Sequence, residues 1–152
     1  MRNNIAINLF CAAILANLIS FPSAAAIQKG TLNITIDGLK NQKGQICMSL
    51  FASNRGFPSD SRKAVKGKCI KVNGSSIVVN FSNLNPGSYA AAVIHDANSD
   101  KNLNRNYLGI PTEGFGFSRN PQIVSGPPKF GDTSFLVVGN STNIAIQLQY
   151  LF

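Results

Sequence analysis

The sequence predicts an all-β fold: a single seven-stranded antiparallel β-sandwich over residues 27–152, interrupted by one long irregular loop. Three observations predict it. Apolar residues recur with period two from residue 31 onward, as on half-buried strands. Clusters of Gly, Pro, Asn and Ser separate the alternating runs and act as turn signals. No run in this region is both long and helical in period.

Residues 1–26 stand apart from that pattern. Met1-Arg2, an apolar run from Ile5 to Phe21 and the small residues Ser23 to Ala26 form the three parts of a Sec-type signal peptide. Cleavage after Ala26 places Ala24 and Ala26 at the small-residue positions, and Cys11 lies inside the apolar run. The expected compartment is therefore the periplasm or the exterior. No later stretch approaches the roughly 20 apolar residues of a spanning helix.

The strands follow in order. "TLNITIDGL" points Leu32, Ile34 and Ile36 one way, and "QICMSLF" does the same with Ile46, Met48 and Leu50. A Gly-, Ser- and Lys-rich loop follows. "CIKVNG" and "SSIVVNF" are two short strands that Asn73-Gly74, a favoured hairpin dipeptide, is expected to pair. Pro86-Gly87 turns the chain into "SYAAAVIHD", apolar on both faces and so expected to be central. Residues 97–130 read as one long loop, of the kind that is functional or packed as a cap. "TSFLVV" and "NIAIQLQYL" complete the set. The terminal alternation ending in Phe152 also occurs in outer-membrane barrels, but those need at least eight strands of about 10 residues, each with a lipid-facing row.

Cys47 and Cys69 are the cysteines left after the signal segment, and an even count in an exported chain predicts a disulfide. The formal charge is +8. Arg55, Arg62, Lys63, Lys66, Lys68 and Lys71 crowd one segment, which suits a polyanion or simply a solvated surface. No aromatic residues interleave with these cations, so nucleic acid is not an expected partner.

The chemistry-bearing stretch runs from His95 to Pro121. His95 and Asp96 are strand neighbours whose side chains point to opposite faces, so they form no relay with each other. No serine sits in a nucleophile elbow. "DANSDKNLN" places Asp96, Asn98, Asp100, Asn102 and Asn104 at every second position, as oxygen ligands stand in a calcium loop. The match is partial: position six is Lys101 in place of glycine, and position twelve is Tyr107 in place of glutamate. A plain turn rich in Asn and Asp has the same composition. His95, Tyr107, Glu113, Phe115 and Phe117 are candidate ligand-contact residues, since aromatics on a Gly-rich loop either stack on a ligand or staple the loop to the core.

The block from Pro86 to Ser118 resembles the bacterial exported family known as domain of unknown function 2141. Pro86, Gly87, Tyr89, Ala90, His95, Asp96, Asn98, Leu103, Asn106, Gly109, Pro111, Glu113, Gly114, Gly116, Phe117 and Ser118 carry the likeness. The chain departs from the family pattern at Asp100, Lys101 and Asn104, inside the acidic loop. The expected sandwich is transthyretin-like or immunoglobulin-like; the resemblance implies a small β-sandwich of the export compartment, related in shape to transthyretin-like and carboxypeptidase-regulatory modules, and brings no activity with it.

The expected function is thus an exported non-catalytic module, binding or structural at the cell envelope, with a weak calcium loop at 96–104. Its partner would be an envelope protein, a glycan or another polyanion. The alternative is an envelope hydrolase-type enzyme using His95, Asp96 and Glu113.

Overall fold

The computed structural model describes residues 27–152; the signal-peptide expectation lies outside the described residues. The described chain is all-β, with eight strands in two sheets. In order they are β1 (Gly30–Asp37), β2 (Gln45–Phe51), β3 (Lys66–Lys71), β4 (Ile77–Leu84), β5 (Gly87–Asp96), β6 (Gly114–Phe117), β7 (Phe135–Val137) and β8 (Ser141–Gln147). A 3-10 turn at Ser61–Lys63 and one helix, α1 (Phe130–Thr133), are the only helical pieces described.

One sheet has the order β4-β1-β8 and the other β3-β2-β5-β6, with β7 added to β5. The alternating residues meet between them. Leu32, Ile34 and Ile36 of β1, Ile46, Met48 and Leu50 of β2, Val79 of β4 and Val93 of β5 form one buried cluster. Burial of such side chains contributes about 1.5–3 kcal/mol each. β5 is central, as its two-faced apolar pattern predicts, and Tyr89 on its inner face donates its hydroxyl to the Asn85 carbonyl at 2.9 Å.

Three expectations need correction. The strand count is eight, because "GFGF" within the predicted loop forms β6 along β5, with His95 opposite Gly114. The sheets are not wholly antiparallel: β1 pairs with β8 in parallel, Ile34 opposite Ile144. Period-two alternation is identical for either strand direction, so it cannot report direction. Finally, β3 and β4 are not a hairpin. β3 pairs with β2 and β4 with β1, so the Asn73-Gly74 link crosses between sheets. A two-residue turn signal yields when each strand's apolar row has a better partner elsewhere.

β6 explains its own glycines. A Cβ on Gly116 would lie 2.8 Å from Ile146 Cγ2, and one on Gly114 would lie 2.5 Å from the Tyr150 ring. The inner face of β6 therefore has no room for side chains, because the C-terminal segment occupies that space. After leaving β8, the chain exchanges two backbone hydrogen bonds between Gln149 and Phe115, tying one sheet to the other.

Cys47 and Cys69 are bonded, and they stand directly opposite each other on β2 and β3. β3 is an edge strand, and its Lys66, Lys68 and Lys71 place charge where another strand would otherwise pair. With a sequence separation of 22, the bond constrains the unfolded chain by about 3 kcal/mol. The double variant Cys47→Ser/Cys69→Ser is expected to melt roughly 10 °C lower. An unchanged melting temperature would mean that the β2–β3 ladder holds without the bond.

Candidate functional site: the loop from Asp96 to Glu113

β5 ends by sending His95 and Asp96 to opposite faces of its sheet. His95 points into the core and is 1 % exposed. Its Nε2 lies 2.8 Å from the Lys43 carbonyl and its Nδ1 2.7 Å from the Tyr150 hydroxyl. A carbonyl only accepts, so Nε2 carries the proton and Nδ1 accepts from the Tyr150 O–H. The Tyr150 oxygen in turn accepts from the Lys40 backbone N–H at 3.2 Å. Burial pushes the Tyr150 hydroxyl above the ordinary phenol range, and the Lys40 bond pulls it partly back. Every polar atom of this pair is engaged, so His95 fastens the C-terminal segment to β5.

Asp96 is completely buried. Its carboxylate accepts from Gln45 Nε2 at 2.7 Å, from the Asp100 N–H at 3.1 Å and from the Lys101 N–H at 2.8 Å. The last bond draws the loop back over β5. Ser99 and Lys101 adopt left-handed backbone, φ 63° and 65°. A calcium loop has glycine at the Lys101 position for such a turn; here a lysine makes it, held by Asp96.

Glu113, just before β6, clamps the loop's two ends. Its Oε1 accepts from the Ala97 N–H at 2.9 Å and its Oε2 from the Asn104 N–H at 3.0 Å. Asp100 lies between, accepting from the Asn102 N–H at 2.8 Å and from Asn98 Nδ2 at 3.0 Å. The Asn102 backbone bond and then the Asn98 amide hold the Asp100 carboxyl below the usual carboxylate range. The Asn104 carboxamide closes the ring. Its NH2 faces Glu113 Oε2 at 3.1 Å, Asp100 Oδ2 at 3.2 Å and the Asn102 carbonyl at 3.3 Å. Two amide protons meet three acceptors there, so the corner is rich in oxygen. Asn98 stands at its edge, with Nδ2 3.2 Å from the Asn104 oxygen. Asn102 contributes its carbonyl, its side chain being turned to the Asp100 carbonyl at 3.0 Å. Among the described residues no three His, Cys, Asp or Glu side chains gather as a metal site.

The aromatic candidates lie elsewhere. Tyr107 is 94 % exposed at the tip of a tight turn, in which Asn106 Oδ1 accepts from the Leu108 and Ile110 N–H groups, each at 3.0 Å. Phe115 and Phe117 are buried on the outer face of β6, opposite to the His95 side. Phe57 covers that face, edge-on to Phe51, Phe117 and Phe130 with ring centroids 5.3, 6.2 and 5.9 Å away. The structure therefore joins Asp100, Asn104 and Glu113, and it separates His95, Tyr107 and the phenylalanine pair from one another. Gln45, Gly44, the Lys43 carbonyl and Tyr150 complete the two buried anchors. Only Tyr150 had a sequence signal, as one position of the terminal alternation that ends at Phe152.

Residues 34–145 match the family model described as an uncharacterized protein conserved in bacteria (DUF2141). The chain belongs to that family. The match contains the whole of β5, the 96–113 loop and β6, so both anchors on β5 and the Glu113 clamp fall within the family domain. No curated protein and no solved structure matches the chain. Among the described residues, no helix is long and apolar enough to cross a membrane.

Proposed function

We propose that this member of the family is an exported, non-catalytic module of the cell envelope, and that its 96–113 loop takes a calcium ion. One observation carries the cation reading: three oxygens, from Asp100, Asn102 and Glu113, converge on one end of the Asn104 amide. Turning that amide over as an ion enters would exchange its NH2 for a fourth oxygen donor in the same place. Hard oxygen donors and two carboxylates suit calcium at the weak affinities of extracellular modules.

The non-catalytic half rests on occupancy. A general base needs a nitrogen or oxygen that a substrate can reach. His95 has both nitrogens engaged in the core, Asp96 is buried with three donors, and Glu113 holds two backbone N–H groups. The hydrolase reading would have to draw its base from Glu113, the one of the three that is not buried, whose two oxygens already accept backbone N–H groups.

Thermal unfolding in EDTA and then in millimolar calcium tests the proposal. A ligand at 100 times its dissociation constant adds about 2.7 kcal/mol, here an expected rise of roughly 5–10 °C. The rise should vanish in Asp100→Ala. An equal melting temperature in both buffers would reduce the loop to a hydrogen-bonded turn without a metal.

A further inference from the structure

The outer face of the β3-β2-β5-β6 sheet carries a trough that the loop chemistry does not use. One part, about 800 Å³, has Ala92, Ile94, Phe115, Phe117 and the Cys47–Cys69 bridge on its sheet side. A second part, about 690 Å³, lies among Phe57, Phe130 and the Pro127-Pro128 pair. Pro58 and Pro127 line both, so the two parts are neighbours. Each has the size of a small-molecule site, and the larger presents Ala92, Ile94, Phe115 and Phe117 beside the polar Ser49, Ser59 and Ser61.

The charge along this trough has one sign. Lys68, Lys101 and Arg105 line the larger part and Lys129 the smaller, and no Asp or Glu is among the described residues that line either. The described ion pair of this region, Arg62 with Asp60, lies outside both linings. Lys101 and Arg105 belong to the loop that Asp96 and Glu113 hold rigid, so their backbone positions are set before any ligand arrives. Apolar side chains edged by cations match a molecule with an apolar body and a negative head.

We propose that the trough is a binding site for an anionic amphiphile, a long-chain carboxylate whose head meets Lys101 and Arg105 and whose chain lies along Ala92 and Ile94, beside the exposed edges of Phe115 and Phe117. This goes beyond the calcium reading and stands without it. The test is a titration of the purified protein with sodium dodecanoate in EDTA, below the micellar concentration, followed by amide chemical shifts. Shifts should concentrate at Ala92, Ile94, Phe115 and Phe117. Dodecyltrimethylammonium, with the same chain and the opposite charge, should bind at least tenfold more weakly. Lys101→Asn combined with Arg105→Gln should weaken dodecanoate at least tenfold, since asparagine accepts the left-handed backbone at that position. Ala92→Phe fills the floor without touching a charge and should abolish binding. Equal affinity for the two detergents, tight binding of chainless acetate, or shifts mapping away from this face would each overturn the proposal.

Discussion

Replacing Asp96 with alanine is expected to destabilise the protein by about 3 kcal/mol. The carboxylate is buried and accepts from Gln45 Nε2 and from the backbone N–H groups of Asp100 and Lys101. Removing it leaves those donors without their acceptor, and each orphaned buried group costs about 1–3 kcal/mol. Asp100 retains a longer bond to Asn98 Oδ1 at 3.3 Å, which recovers part of the loss. Asp96→Asn should fall between, because one oxygen stays while an NH2 replaces the other. Urea unfolding at constant slope measures the loss, and amide exchange should show residues 98–102 opening first. A loss below about 1 kcal/mol would mean that Glu113 alone holds the loop.

Gly44→Ala should cost about as much, for a different reason. Gly44 has φ +68°, and a Cβ there would lie 2.7 Å from Ala97 Cα and closer still to the Asp96 carbonyl oxygen. Those atoms are backbone and cannot rotate away. The left-handed conformation costs a non-glycine residue about 1–2 kcal/mol, and forced overpacking adds about 1–3 kcal/mol. Gly109→Ala is the control. Gly109 has φ +76° with nothing within 4 Å, so only the conformational part should appear. Chemical denaturation of both variants separates the two contributions. Equal losses at positions 44 and 109 would show that the loop backbone shifts at little cost.

The two variants bracket the same junction. Gly44 lets the turn before β2 lie against the chain as it leaves β5, and Asp96 pins the loop that begins there. His95 fastens the C-terminal segment on the other face of β5. Three neighbouring positions therefore secure three segments far apart in sequence. There the acid and the histidine spend their hydrogen bonds on the fold.

Much of the fold was legible in the residues. The apolar alternation of β1, β2 and β8 depends only on one buried face per strand, which is a local property. The double-sided pattern of β5 likewise announced a central strand. Cys47 and Cys69 announced their bond through parity and the expected compartment, without revealing that their strands are neighbours. The site was legible in part. Asp96 to Asn104 stood out as an oxygen-rich loop, but spacing along the chain does not say which oxygens meet. Asp96 turned inward to Gln45, and Glu113 came from beyond the loop to take its place beside Asp100 and Asn104.

Taken alone, then, the sequence determined the all-β class, the inward rows, the disulfide and the loop that carries the polar chemistry. These follow from period, composition and cysteine parity, none of which needs to know which strands meet. Tertiary structure alone decided the parallel pairing of β1 with β8, the crossing of the Asn73-Gly74 link between sheets, and the making of β6 from "GFGF". It also decided that His95 would serve the core and that a cation-lined trough would open over Phe115 and Phe117. The physical reason is common to all of these. Strand partners, and the atoms facing each side chain, are chosen by competition among surfaces distant in the chain, and that competition leaves no mark on local periodicity.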